Sequence, residues 1–132
     1  MPQGKVQMTV NLSSNLTPVK VVGKPTIDDF IFWANDYYSG SFTSSALWDL
    51  VDADLSEIES GITTEQILTY IRMLNEAAAN KSRVGKTAYV VDYNTTAHRL
   101  FTRVESIAEK EDSPVERKTF TDLAKAKQWL GV

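Results

Sequence analysis

Past an opening pair of β-rich runs, this chain alternates helix and strand to its end, and that order constrains its fold more than any single residue does. Val6, Met8, Val10 and Leu12 alternate with polar residues, the period of a half-buried strand. The turn cluster Ser13-Ser14-Asn15 leads to a second run with Val19, Val21 and Val22, ending at Gly23, so the two runs predict an antiparallel hairpin. Thr26 is a helix N-cap, because its hydroxyl can accept from the free amides of a first turn, and Asp28 and Asp29 complement the positive end of the helix dipole. The helix expected from about Ile27 to Tyr38 carries Ile27, Phe30, Ile31, Ala34 and Tyr38 on one face.

A loop from Ser39 to Ser45 then precedes a short apolar strand, Ala46 to Val51. Thr63 and Gln66 have capping-box spacing and open a second helix with the stripe Ile67, Leu68, Ile71, Leu74 and Ala78, which fades at Asn80-Lys81. Ala88 to Val91 is apolar on both faces, as a buried parallel strand should be. Asn94-Thr95 caps a third helix bearing Ala97, Leu100, Phe101, Val104, Ile107 and Ala108. Val115 to Phe120 reads as the last strand, and Asp122 caps a short helix with Leu123, Ala126, Trp129 and Leu130. The expected fold is therefore α/β: an N-terminal hairpin, then alternating helices and strands, giving a five-stranded mostly parallel sheet with four helices.

The 132 residues suit one domain, with 42% hydrophobic and 23% charged residues placing the chain among ordinary globular proteins. Having no cysteine, it has no disulfide, thiolate metal site or cysteine nucleophile, which fits a cytoplasmic location. A net charge of -3 with scattered bases argues against nucleic-acid binding, whose affinity comes from neutralised phosphates. The N-terminus has no apolar signal core, and no apolar run approaches the roughly 20 residues of a membrane span. No membrane insertion is expected.

The element order resembles that of SpoIIAA-like proteins: the anti-sigma-factor antagonists, the STAS domains, and short bacterial SpoIIAA-like, SEC14-related proteins of unknown function. Two segments carry the resemblance, Leu47-Trp48-Asp49-Leu50-Val51-Asp52-Ala53-Asp54-Leu55-Ser56 and Phe120-Thr121-Asp122-Leu123 through Trp129-Leu130-Gly131. It spans about Val6 to Val132 as a single SpoIIAA/STAS-like domain. It implies a non-enzymatic regulatory domain working through protein contacts, or alternatively a small-molecule or lipid carrier. In STAS antagonists a partner kinase phosphorylates a serine just before a glycine at the start of the second helix. Ser60, before Gly61, aligns with it, although Glu59 stands where the family carries a small polar residue. A plain turn before a capped helix is the simpler reading of Ser60-Gly61.

Ligands of parallel α/β sheets bind beyond the carboxyl ends of strands. Asp49, Asp52 and Asp54 follow one such strand, and Asp92, Asn94 and His98 the next, forming a candidate polar pocket that would suit a hard divalent cation if the six converged. No recognised metal-ligand spacing appears among them, so loop solvation and capping are the simpler reading and neither metal nor cofactor is expected. His98, the single histidine, has no Gly-x-Ser-x-Gly partner, and neither a Gly-x-Gly-x-x-Gly nor a P-loop occurs, so catalysis has no support. The first helix carries more apolar surface than one stripe can bury. Phe32 projects among Asp28, Asn35 and Asp36, with Trp33 and Tyr37 flanking the apolar face, so Phe32, Trp33 and Tyr37 form a candidate contact surface. A homodimer is its simplest occupant and a different protein partner another, the alternative being that Phe32 is only a solitary surface aromatic.

Overall fold

A computed structural model describes residues 4–8, 15–39, 45–80, 85–111 and 113–131. The expected continuation of the first strand through Val10 and Leu12, the Ser13-Ser14 turn, most of the Ser39–Ser45 loop, the Tyr38 side chain and Lys81 lie outside them.

The described strands β1 (Gly4–Met8), β2 (Leu16–Gly23), β3 (Ser45–Asp49), β4 (Gly85–Val90) and β5 (Val115–Phe120) lie side by side in chain order. β1 runs antiparallel to β2, with Val6 opposite Val21. β2 to β5 are parallel, in a register that aligns Val19 with Trp48, Trp48 with Tyr89, and Tyr89 with Thr119. Between them run α1 (Ile27–Ser39), α2 (Ser56–Gly61), α3 (Thr64–Asn80) and α4 (Thr96–Ala108), and α5 (Leu123–Leu130) closes the described chain.

The described residues thus hold five helices where the sequence predicts four; α2 is the one missed. Its sequence, Ser-Glu-Ile-Glu-Ser-Gly, has one buried residue, Ile58, and so no stripe that periodicity can detect. It starts without a side-chain cap at Leu55, and instead Asp54 accepts from the Ser56 N–H at 3.0 Å and from its hydroxyl at 2.7 Å. The caps predicted elsewhere are in place. Thr26 and Asp29 exchange bonds at 3.1 and 3.0 Å, and Thr63 and Gln66 at 3.1 and 2.8 Å. Thr95 accepts from the His98 N–H at 3.2 Å, and Asp122 from the Ala124 N–H at 2.8 Å. Each satisfies amides that the first turn of a helix leaves without a carbonyl.

Alternation along the strands separates two cores. Val19, Val21, Ala46, Trp48, Tyr89 and Val115 face α1 to α4, where Tyr37, Leu55, Ile67, Ile71, Leu100 and Phe101 meet them. Leu16, Leu47, Ala88 and Val90 face the other way, against Ala126 and Leu130 of α5, with Phe120 and Trp129 at the margin.

Candidate functional site

Of the three aromatic side chains predicted as a contact surface, only Phe32 is presented to solvent, at 71% exposure. Tyr37 is a correction, being 1% exposed within the larger core. Trp33 is half-buried against that core, its ring edge-on to Phe30 at 5.5 Å. α1 lies in a layer with α3 and against the sheet, so its buried arc is wider than a single stripe and takes in both flanking residues.

The six polar residues beyond the strand ends do not form one pocket. Lys20 reaches across from β2 and bridges Asp49 at 3.3 Å and Asp52 at 2.9 Å. Those two carboxylates hold the Lys20 ammonium above its usual pKa, the hydrogen bond it donates to Asp52 contributing most. Asp54 turns to Ser56, whose hydroxyl and N–H hold its carboxyl below the usual range. The third group is built from backbone. Asn94, at φ 60°, donates its N–H to His98 Nδ1 at 2.9 Å, and the Asp92 carbonyl accepts from the Thr95 hydroxyl at 2.8 Å. A convergent site is therefore corrected to one cross-strand ion-pair group around Lys20 and two local turn-and-cap motifs. Among the described residues no three acidic or histidine side chains are grouped to hold a metal ion.

That edge has another feature. Val51, Tyr93 and Leu123 follow the carboxyl ends of β3, β4 and β5, and they are 40%, 78% and 45% exposed. Tyr93 lies over His98 with ring centroids 5.4 Å apart. Asp52, Asp92 and Asp122, all exposed, flank these apolar side chains in sequence. The pattern was legible as an apolar residue beside each of these aspartates, but periodicity placed Val51 in a strand and Leu123 on a helix stripe, and Tyr93 in neither.

Ser60 is exposed and lies in the last turn of α2, its hydroxyl donating to the Glu57 carbonyl at 3.2 Å. It does not open a helix, which corrects the placement implied by the resemblance. α2 itself is tied down on both sides: Glu57 pairs with Lys24 at 3.2 Å and Glu59 with Arg99 at 3.7 Å. Arg103 also donates to the Ile62 carbonyl at 3.2 Å.

Between the sheet and the α1–α4 layer lies a cavity of about 90 Å³ whose lining residues the sequence did not single out as a site. Trp48, Tyr89 and Arg117 line its sheet side, and Phe30, Ile71 and Phe101 are among its other walls. Arg117 is 7% exposed, and its Nη1 donates to the Ser113 hydroxyl at 3.3 Å. That hydroxyl also accepts from the Val115 N–H at 3.1 Å and donates to buried Asn75 at 2.8 Å. The signal for an inward Arg117 was present: it falls two residues after Val115, on the same strand face.

No family model matches the chain. The fold is that of a solved structure titled an anti-sigma factor antagonist from Mycobacterium paratuberculosis, with a TM-score of 0.57 over 98% of this chain and 95% of that one. Sequence identity is 10%, so the likeness is one of fold: STAS/SpoIIAA-like α/β, with a parallel four-stranded sheet flanked by helices. The chain is also 30% identical over 111 residues to transcription elongation factor GreA of Mycoplasma pneumoniae. That match takes in 81% of this chain and 66% of the relative, so the chain spans just under two thirds of that protein's length. Among the described residues no helix is long and apolar enough to cross a membrane.

Proposed function

We propose that this chain is a non-enzymatic regulatory domain that docks a protein partner on the carboxyl-end edge of its parallel sheet. The observation that carries the reading is the set Val51, Tyr93 and Leu123, exposed beyond three neighbouring strands and flanked by aspartates. Aromatic and apolar side chains at the centre of a polar rim are the usual composition of a protein contact. The shared fold with an anti-sigma factor antagonist supports the same class of work. Both similar proteins carry names from transcription, so the partner is sought among proteins of that apparatus, in the cytoplasm. The acidic rim and net charge of -3 favour a basic protein surface over nucleic acid. Neither name is that of a carrier, and the lipid-carrier alternative gains nothing from them.

The test is binding of the purified chain to the sigma-factor regulators and polymerase subunits of its source organism. Tyr93→Ser should weaken the complex at least tenfold, as expected when a central aromatic anchor is removed. Unchanged binding in a Tyr93→Ser, Leu123→Ser double variant would refute this docking edge.

Two finer elements belong to the same proposal. Phe32 anchors a twofold contact between copies of the chain, so Phe32→Ser converts a dimer to a monomer by light scattering. A monomeric mass for both proteins refutes it. Ser60 is the candidate phosphoswitch. A phosphate there adds about two negative charges at the carboxyl end of α2, beside Glu57 and Glu59, and would loosen that turn. Mass spectrometry of the chain from its native cell, finding Ser60 always unmodified, removes this element alone.

A further inference from the structure

The cavity beneath α1 and α3 has a neighbour on the same wall residues. A groove of about 280 Å³ shares Ile27, Ile58, Ile62 and Tyr70 with its wall and adds Thr26, Glu57, Gly61 and Gln66 as a polar rim. In these terms a single water needs about 10–15 Å³, so the inner space exceeds several waters. Its walls are nearly all aliphatic and aromatic, with Arg117 the one charged residue among the described residues lining it. An apolar guest there recovers the dispersion contacts that the walls lack. The inner volume is too small for a two-chain lipid, which would also displace α1 from the sheet.

We propose that this cavity binds the hydrocarbon body of a small single-chain amphiphile, whose uncharged hydrogen-bonding head lies in the outer groove. The rim argues for an uncharged head. Glu57 lines the groove and is already paired with Lys24 at 3.2 Å, so an anionic head meets a carboxylate and a cationic head finds that carboxylate engaged. Thr26, Gln66 and Glu57 supply a polar border for a hydroxyl or amide. This inference does not depend on the docking edge, which lies on other residues.

The probe series is 1-hexanol, 1-heptanol and 1-octanol, titrated into the full chain and followed by tryptophan fluorescence, since Trp48 lines the cavity. Affinity should rise roughly fourfold per added methylene, the factor for burying one such group. Two variants block the space. Ala34→Leu fills the inner cavity, and Gly61→Phe fills the groove, where a Cβ on Gly61 meets nothing within 4 Å. Both should weaken 1-octanol at least tenfold, and Gly61→Phe should leave the thermal midpoint within a few degrees of wild type. Absence of saturable binding overturns the proposal, as does 1-octanol binding that Gly61→Phe leaves intact. Octanoate bound more tightly than 1-octanol overturns the uncharged head.

Discussion

The two faces of the sheet are built from alternate residues of the same strands, yet they are covered very differently. On one face Trp48, Tyr89 and Val19 meet four helices in a continuous apolar layer, with Phe30, Phe101 and Tyr89 in ring contact. On the other, Leu47, Ala88 and Val90 meet a single eight-residue helix. That thinner face is finished with charge instead: the Lys86 ammonium sits 5.1 Å from the Trp129 ring centre and Lys118 5.6 Å from that of Phe120. The difference teaches that alternation alone does not make two equal cores. Cohesion follows the number of side chains converging from distant elements, and the thick face has them.

Removing large side chains from each face is the most direct way to break the comparison. On the thick face Trp48→Ala should cost about 3–5 kcal/mol, and Leu100→Ala about 2–5 kcal/mol, read from urea denaturation. On the thin face Leu130→Ala should fall at or below the bottom of that range, near 2 kcal/mol, because its site borders solvent and can relax. Equal losses at Leu100 and Leu130 would show that the two faces bear load alike. Next in size is the cap of α5: Asp122→Ala should cost about 1 kcal/mol and shift the same denaturation midpoint. If the loss instead equals that of Leu130→Ala, the thin face depends on its helix cap as much as on its packing.

The smaller effects are electrostatic. The Asp54 carboxyl is held below its ordinary pKa by Ser56, so folding is favoured by that turn above the usual carboxylate range. The contribution is lost as pH falls through the lowered folded value. Asp54→Asn should therefore lower the melting temperature slightly at pH 7 to 9 and flatten its acid limb between about pH 5 and pH 2, with little change at pH 2, where the contribution is already lost. Lys20 shifts the opposite way, its contribution present below its ordinary pKa and lost as pH rises through the raised folded value. Because it is exposed, Lys20→Met should produce the smallest change of the series at pH 7, within the scatter of thermal melts.

Much of this architecture was legible along the chain. Thr26, Thr63, Thr95 and Asp122 announced helix starts because capping is a contact within three residues, complete before any tertiary packing. α2 was not legible, since a single buried side chain, Ile58, has no period. The candidate site was read less well. Asp49 ends β3 and Asp52, Asp54, Asp92, Asn94 and His98 follow β3 and β4, but their partners decided their use, and Lys20, 29 residues before Asp49, gave no local sign of being one.

What the sequence determined by itself is everything carried by short-range periodicity: the order of strands and helices, their caps, and which side of each strand is apolar. Tertiary structure alone decided that Tyr37 is interior while Phe32 is not, that six polar residues separate into an ion pair and two turns, and that Arg117 lines a cavity. The physical reason is distance along the chain. A side chain's direction is set within a few residues, but its burial depends on elements tens of residues away that arrive only when the sheet has formed.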